Sequence, residues 1–228
     1  MFLRIATSAL YAGVLAGLVA GVLQLVFVQP ILLHAELYEL GELTHFGRAA
    51  VKAEQEFGGI DPARDGLSMG VTALVYTGYA FLLVAAMALA TTRGVTVTAR
   101  QGIVWGIAGF IAVQLAPGFG LPPEVPGVGT TDVFIRQVWW FSTTGAASVA
   151  LWLIAFGRHW AHWVLAVVLL AVPHVIGAPE PDYFAGSAPP ELASLFASRA
   201  LGVGLAAWVM VGGLAGYFWN RNAGENAG

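Results

Sequence analysis

Long apolar runs alternate with short polar segments along this chain, and six of the runs stand out. They cover residues 5–33, 67–90, 101–116, 138–156, 160–176 and 195–219. About 20 apolar residues carry a helix across the hydrocarbon core of a bilayer. The pattern predicts an all-α integral membrane protein, a polytopic bundle of six transmembrane helices. The third and fifth runs are short, so five crossings is the alternative count. Trp139 and Trp140 open the fourth run, Trp160 and Trp163 open the fifth, and Trp219 closes the sixth. Tryptophan concentrates at the membrane–water interface, which supports these boundaries. The first run is too long for the apolar region of a signal peptide, and only Arg4 precedes it. It reads as an uncleaved helix.

The polar segments carry the sidedness. Arg4, Arg93, Arg100, Arg158 and Arg221 fall on one side, with Glu225 as that side's acid. Arg48, Lys52, Arg64, Arg136 and Arg199 fall on the other, together with twelve acids. The basic counts tie, but the first set lies in much shorter segments. Short basic loops stay in the cytoplasm, so both termini are expected there. The domain reading is a single transmembrane domain over 1–220. It has a long outer loop with a helical start at 34–66, a Pro/Gly-rich outer loop at 117–137, a third outer loop at 177–194 and a polar tail at 221–228.

Composition narrows the chemistry. The chain has 228 residues, 58% hydrophobic and 10% charged, against about 25% charged in soluble domains. It has no cysteine, which excludes disulfides, thiolate metal sites and thiol catalysis. A metal would have to be held by imidazole, carboxylate, carbonyl or water oxygen. No nucleotide-binding loop is present, so use of ATP would need another subunit.

Gly13, Gly17 and Gly21 share one stripe of the first span, and small residues at that spacing let another backbone approach closely. Gly102 and Gly106, and Gly212 and Gly216, repeat the spacing. The stripe either packs inside the subunit or docks a partner helix. Gln24, Gln29 and Gln114 lie in or near spans and need hydrogen-bond partners there.

The acidic outer side holds the candidate ligands. Glu36, Glu39, Glu42 and His45 recur every three residues, and His34 precedes them. If the first helix runs on past the membrane, they form a drifting stripe of like charges that a cation would relieve. Plain solvation is the alternative. The second outer segment, rich in Pro and Gly, cannot be a regular helix and must pack on protein or line a wet cavity. Glu124 is its carboxylate, and Arg136 is either an interfacial anchor or the partner of an outer acid. The third segment starts at Pro173 and His174 and continues to Glu180 and Asp182. A proline there tends to kink the helix, and carbonyls freed by such breaks bind ions in transporters. His174 is then either a ligand or a histidine bonded to a carbonyl. His159 and His162 read as interfacial residues on the cytoplasmic side.

Several strings carry a resemblance to a known family. They are Gln29-Pro-Ile-Leu-Leu-His34-Ala-Glu36-Leu-Tyr38-Glu39, Gly120-Leu-Pro-Pro-Glu124-Val-Pro-Gly127, Arg136-Gln-Val-Trp139-Trp140 and Pro173-His174-Val-Ile-Gly177-Ala-Pro179. In these strings, in their order and over most of its length, the chain resembles the CbtA family of proposed cobalt transporter subunits. The resemblance implies cobalt uptake across the bacterial cytoplasmic membrane. It also implies a small single-span partner with a histidine-rich end, CbtB-like. About five spans are usual for the family, against six counted here.

The residues and the resemblance together give a membrane permease subunit for uptake of a divalent transition metal, with cobalt implied. His34, Glu36, Glu39, Glu124, His174 and Asp182 are the expected metal ligands, and Gly13, Gly17 and Gly21 the expected dock for the partner. Imidazole and carboxylate suit cobalt, zinc and nickel alike. No permanently bound cofactor, no catalysis and no nucleic acid are expected; the lipid bilayer is. The first rival is a structural or assembly subunit of a larger membrane complex. The second is a membrane enzyme or haem protein, for which two histidines on facing helices would be needed. His34 and His174 share one side.

Overall fold

The computed structural model describes residues 1–44, 61–128, 131–181 and 185–224. Its elements in order are α1 (Phe2–Phe27), α2 (Gln29–Glu39), α3 (Pro62–Thr91), α4 (Ala99–Phe110), a π-helical turn (Ile111–Leu115), α5 (Ala116–Gly120), α6 (Val133–Phe156), α7 (Trp160–Ile176) and α8 (Pro190–Gly224). The chain is an all-α polytopic membrane protein. Where the sequence suggests one domain, contacts gather into two compact units. One comprises Met1–Val26, Ile60–Phe110 and Gly202–Gly228; the other comprises Phe27–Gly59 and Ile111–Leu201.

The first unit is built on glycine. Backbone of α3 lies where a Cβ on Gly13 or Gly17 would stand: Thr77 opposite Gly13, and Ala73 Cα 2.6 Å from the Gly17 position. Met69 lies 3.2 Å from the Gly21 position. The partner numbers fall as the glycine numbers rise, so α1 and α3 run antiparallel. Thr72 on α3 donates its hydroxyl to Gln24 Oε1 at 2.9 Å, which answers one of the membrane glutamines. Gly102 and Gly106 of α4 meet Gly212 and Trp208 of α8 in the same antiparallel manner. Small residues let the backbones touch, and dispersion then replaces the hydrophobic effect that lipid cannot supply.

The two ends of the chain meet in this unit. Arg4 donates to the Trp219 carbonyl, and its guanidinium lies 3.8 Å above the Trp219 ring. The Asn222 amide donates to Thr7 and Ser8 at 3.1 and 3.0 Å. The start of α1 and the end of α8 therefore share one end of the unit. That requires an even number of crossings. Among the described residues five helices are long enough to span, α1, α3, α4 through α5, α6 and α8, and α7 has 17 residues. At 1.5 Å per residue α7 is about 25 Å long, near the lower limit for a span. It is the helix that a sixth crossing would need.

In the second unit α6 and α7 form an antiparallel hairpin. His159 caps α7: its Nδ1 accepts from the Ala161 N–H, while His162 Nδ1 accepts from the His159 N–H. Both histidines thus have structural work at the helix start. Asp132 caps α6 through the N–H groups of Phe134 and Ile135 at 2.8 and 3.2 Å. Asp61 does the same for α3, in the first unit. Two of the acids expected outside therefore serve as helix caps.

Three segments differ from the sequence reading. The first span ends at Phe27 rather than at 33. Pro30 has no N–H to give the Val26 carbonyl and its ring crowds that carbonyl, so the ladder stops and restarts as α2. The expected stripe is shortened as well. α2 closes at Glu39, Gly41 takes a φ of +76°, and Glu42 lies beyond the helix; His45 lies outside the described residues. Finally, the Pro/Gly-rich segment begins as helix, through Gly120. The π turn before it widens the ladder and seats Pro117 in the first turn of α5, where a missing N–H is tolerated.

Candidate functional site

Every described residue of the expected metal set belongs to the second unit: His34, Glu36 and Glu39 on α2, Glu124 in the loop after α5, and His174 in the last turn of α7. Asp182 lies outside the described residues.

The three segments expected outside meet around Glu39. The Gly127 Cβ position lies 3.2 Å from Glu39 Cβ and against the Ser187 hydroxyl. The Ser187 N–H donates to the Gly127 carbonyl at 3.2 Å, and Val128 pairs with Gly186 in an isolated antiparallel bridge. Gly127 takes a φ of +78°, so its lack of a side chain serves both the turn and the close approach. Glu39 is exposed and Glu36 half-buried, one turn apart on the same face. His34 lies off that face, two positions from Glu36, and stacks on Tyr38 with ring centroids 5.6 Å apart.

The other two candidates have different surroundings. Glu124 Oε2 lies 2.6 Å from Arg136 Nη2, at the first turns of α6. Arg136 is thus the ion-pair partner of an outer acid, one of the two roles open to it. His174 stands edge-on to Phe119 and Trp139, at centroid distances of 5.3 and 6.1 Å. Pro173 stays inside α7 and the helix continues to Ile176, so the expected unwinding is absent there. Its carbonyl instead accepts from the Gly177 N–H at 3.1 Å and from the Trp139 indole N–H at 3.3 Å. Among the described residues no three His, Asp or Glu side chains gather closely enough to hold one metal ion.

Beside this end, α6 and α7 enclose a groove of about 550 Å³ lined by Val138, Trp139, Ser142, Thr143, Leu169 and Pro173, among others. Its walls are mostly apolar, and no titratable group stands among those that line it.

The glycine stripe of α1 faces α3 of the same chain, so this surface is filled from within rather than presented to a partner. Of the membrane glutamines, Gln24 has its partner on α3. Gln114 sits in the π turn with its Oε1 buried and without a hydrogen-bond partner among the described residues, and so does the Thr144 hydroxyl of α6. Thr144 was not singled out in the sequence. The signal was a run of hydroxyls within an apolar span, Ser142, Thr143, Thr144 and Ser148.

No curated protein and no solved structure matches the chain. One family model does, over residues 2–220, described as CbtA, probable cobalt transporter subunit. The match covers nearly the whole chain, including both compact units and every expected ligand. The chain belongs to the CbtA family of probable cobalt transporter subunits.

Proposed function

We propose that this chain is the permease subunit for uptake of a divalent transition metal, cobalt, across the bacterial cytoplasmic membrane. The acidic end of the second unit is the side from which the ion enters. One observation carries the reading: α2, the loop after α5 and the segment before α8 converge at Glu39, Gly127 and Ser187. Three stretches distant in sequence thereby gather beside one carboxylate. Glu36 stands one turn away, and Glu124 three residues before Gly127.

In this reading the carboxylates raise the local cation concentration, and His34 and His174 supply imidazole. Glu124 is drawn in through exchange of its Arg136 partner, and Asp182 extends the acidic rim. A small single-span, histidine-rich subunit of the CbtB type delivers further ligands. Its docking face is elsewhere than the Gly13–Gly17–Gly21 stripe, which α3 covers.

The test is uptake of radioactive Co²⁺ at limiting concentration, in cells expressing the chain with and without a histidine-rich single-span subunit. Glu39→Gln and His174→Ala are expected to lower uptake while membrane levels of the protein stay constant. Normal uptake by both variants would remove these residues from the route. No uptake by the unaltered pair, together with metal-independent copurification in a larger complex, would favour a structural or assembly subunit instead.

A further inference from the structure

The polar groups in the middle of the second unit have chemistry that metal capture at its acidic end leaves unexplained. Gln114 Oε1 and Thr144 Oγ1 are both buried, and neither has a hydrogen-bond partner among the described residues. A buried, unpaired polar group costs about 1–3 kcal/mol, and in a membrane span water does not relieve it.

The two groups lie on elements that pack together, α6 against the π turn and α5. The Gly120 Cβ position is 2.6 Å from the Trp139 ring, so the end of α5 lies beside the early turns of α6. The helices run antiparallel there. Six residues back from Gly120 is Gln114, and five forward from Trp139 is Thr144, which are similar rises of about 8–9 Å. Thr144 is near the midpoint of α6, Val133–Phe156. Thr144 therefore sits midway along α6, and the π turn that carries Gln114 packs on the same helix.

Local backbone adds a third oxygen. Gln114 belongs to the π turn Ile111–Leu115, and Pro117 follows it. Pro117 has no N–H, so a carbonyl of this turn, Ala112 or Val113, loses its helical donor. Irregular turns of this kind within spans recur at functional sites.

Thr144 also departs from its neighbours. Thr143 donates its hydroxyl to the Trp139 carbonyl at 2.9 Å, and Ser148 donates to the Thr144 carbonyl at 2.8 Å. Both use the ordinary bond to the carbonyl one turn back. The Thr144 hydroxyl does not.

We propose that Gln114, Thr144 and a carbonyl of the π turn bind a dehydrated monovalent cation, of which Na⁺ is the type, in the middle of the span. All three donors are neutral oxygens, and residues 111–116 and 140–148 contain no charged side chain. The cost of burying an ion grows with the square of its charge, so a divalent ion without a carboxylate faces about four times the penalty of a monovalent one. Neutral amide, hydroxyl and carbonyl oxygens replace the hydration shell of an alkali cation instead. The site rests on the membrane fold and not on cobalt as the cargo, so it stands or falls apart from the uptake reading.

The experiment is thermal unfolding of the purified full chain in detergent, with NaCl titrated against choline chloride at constant ionic strength. A ligand bound only by the folded state raises the melting temperature with the logarithm of its concentration above Kd. Sodium is expected to raise it by a few degrees in the unaltered chain and in Thr144→Ser. Gln114→Leu and Thr144→Val are expected to melt cooperatively in choline and to lose the sodium increment. A melting temperature indifferent to sodium in the unaltered chain would overturn the proposal and leave water as the partner of these groups. An increment that survives in both variants would overturn it equally.

Discussion

Arg136 holds the Glu124 carboxylate at 2.6 Å, tying the Pro/Gly-rich loop after α5 to the start of α6. Both side chains remain partly exposed, so solvent screens the pair and its worth to stability is about 1 kcal/mol or less. Its larger effect is on charge. A carboxylate neutralised by a guanidinium attracts a cation weakly. Arg136→Gln is expected to tighten the apparent affinity of Co²⁺ uptake, by up to about fivefold for 1 kcal/mol. Glu124→Gln is expected to weaken it. A saturation curve for each variant measures both, and unchanged curves would make the pair purely structural.

The α1–α3 seam gives a prediction about stability. A Cβ at Gly17 would stand 2.6 Å from Ala73 Cα, and backbone cannot yield as a side chain can. Gly17→Ala is expected to destabilise the purified chain by about 1–3 kcal/mol, despite the better helix propensity of alanine. Gly78→Ala is the control, because nothing lies within 4 Å of that position. It is expected to be neutral or stabilising by up to about 1 kcal/mol. Thermal unfolding in detergent compares the two. Equal melting of Gly17→Ala and the unaltered chain would return this stripe to a partner.

Residues 13, 17 and 21 show what a linear reading can reach. Their spacing of four marks a close-packing stripe whatever lies against it, but the neighbour is a matter of tertiary structure. Pro30 was equally visible, and the break it causes at Val28 follows from one missing N–H. The apolar run nevertheless continues to Leu33, so hydropathy alone extended the span. The π turn left no such mark. Pro117 was visible, but the π turn that seats it, and the packing of that turn on the helix carrying Thr144, belong to the tertiary structure. The candidate ligands at the acidic end were visible as residue types, while their division among Arg136, Tyr38 and the Phe119–Trp139 pair was not.

Trp139 links α6 to the end of α7. Its indole N–H donates to the Pro173 carbonyl at 3.3 Å, and its ring stands beside His174. Trp139→Phe keeps the aromatic wall and removes the donor. It is expected to cost about 1 kcal/mol of stability, the worth of one buried hydrogen bond. It is also expected to loosen the last turn of α7, which hydrogen exchange at residues 174–177 would record. Unchanged exchange there would show that the α7 end is held by packing alone.

The meeting of Arg4 with Trp219 makes the number of crossings a testable quantity. If α7 spans, residues 177–190 lie on the side opposite the termini; if it does not, they lie on the side of residues 157–159. The absence of cysteine makes single-cysteine labelling clean. Thr92, Glu180 and Asn220 are exposed, so each accepts a cysteine without disturbing packing. In intact cells an impermeant maleimide is expected to label Glu180→Cys and to spare Thr92→Cys and Asn220→Cys until the membrane is opened. Labelling of Thr92→Cys and Asn220→Cys from outside, with Glu180→Cys protected, would invert the protein and turn the acidic end into a metal exit. Labelling of Glu180→Cys from the same side as Thr92→Cys, with Asn220→Cys on the opposite side, would return α7 to a helix that does not cross. It would also break the inference from Arg4, because five crossings cannot bring both termini to one face.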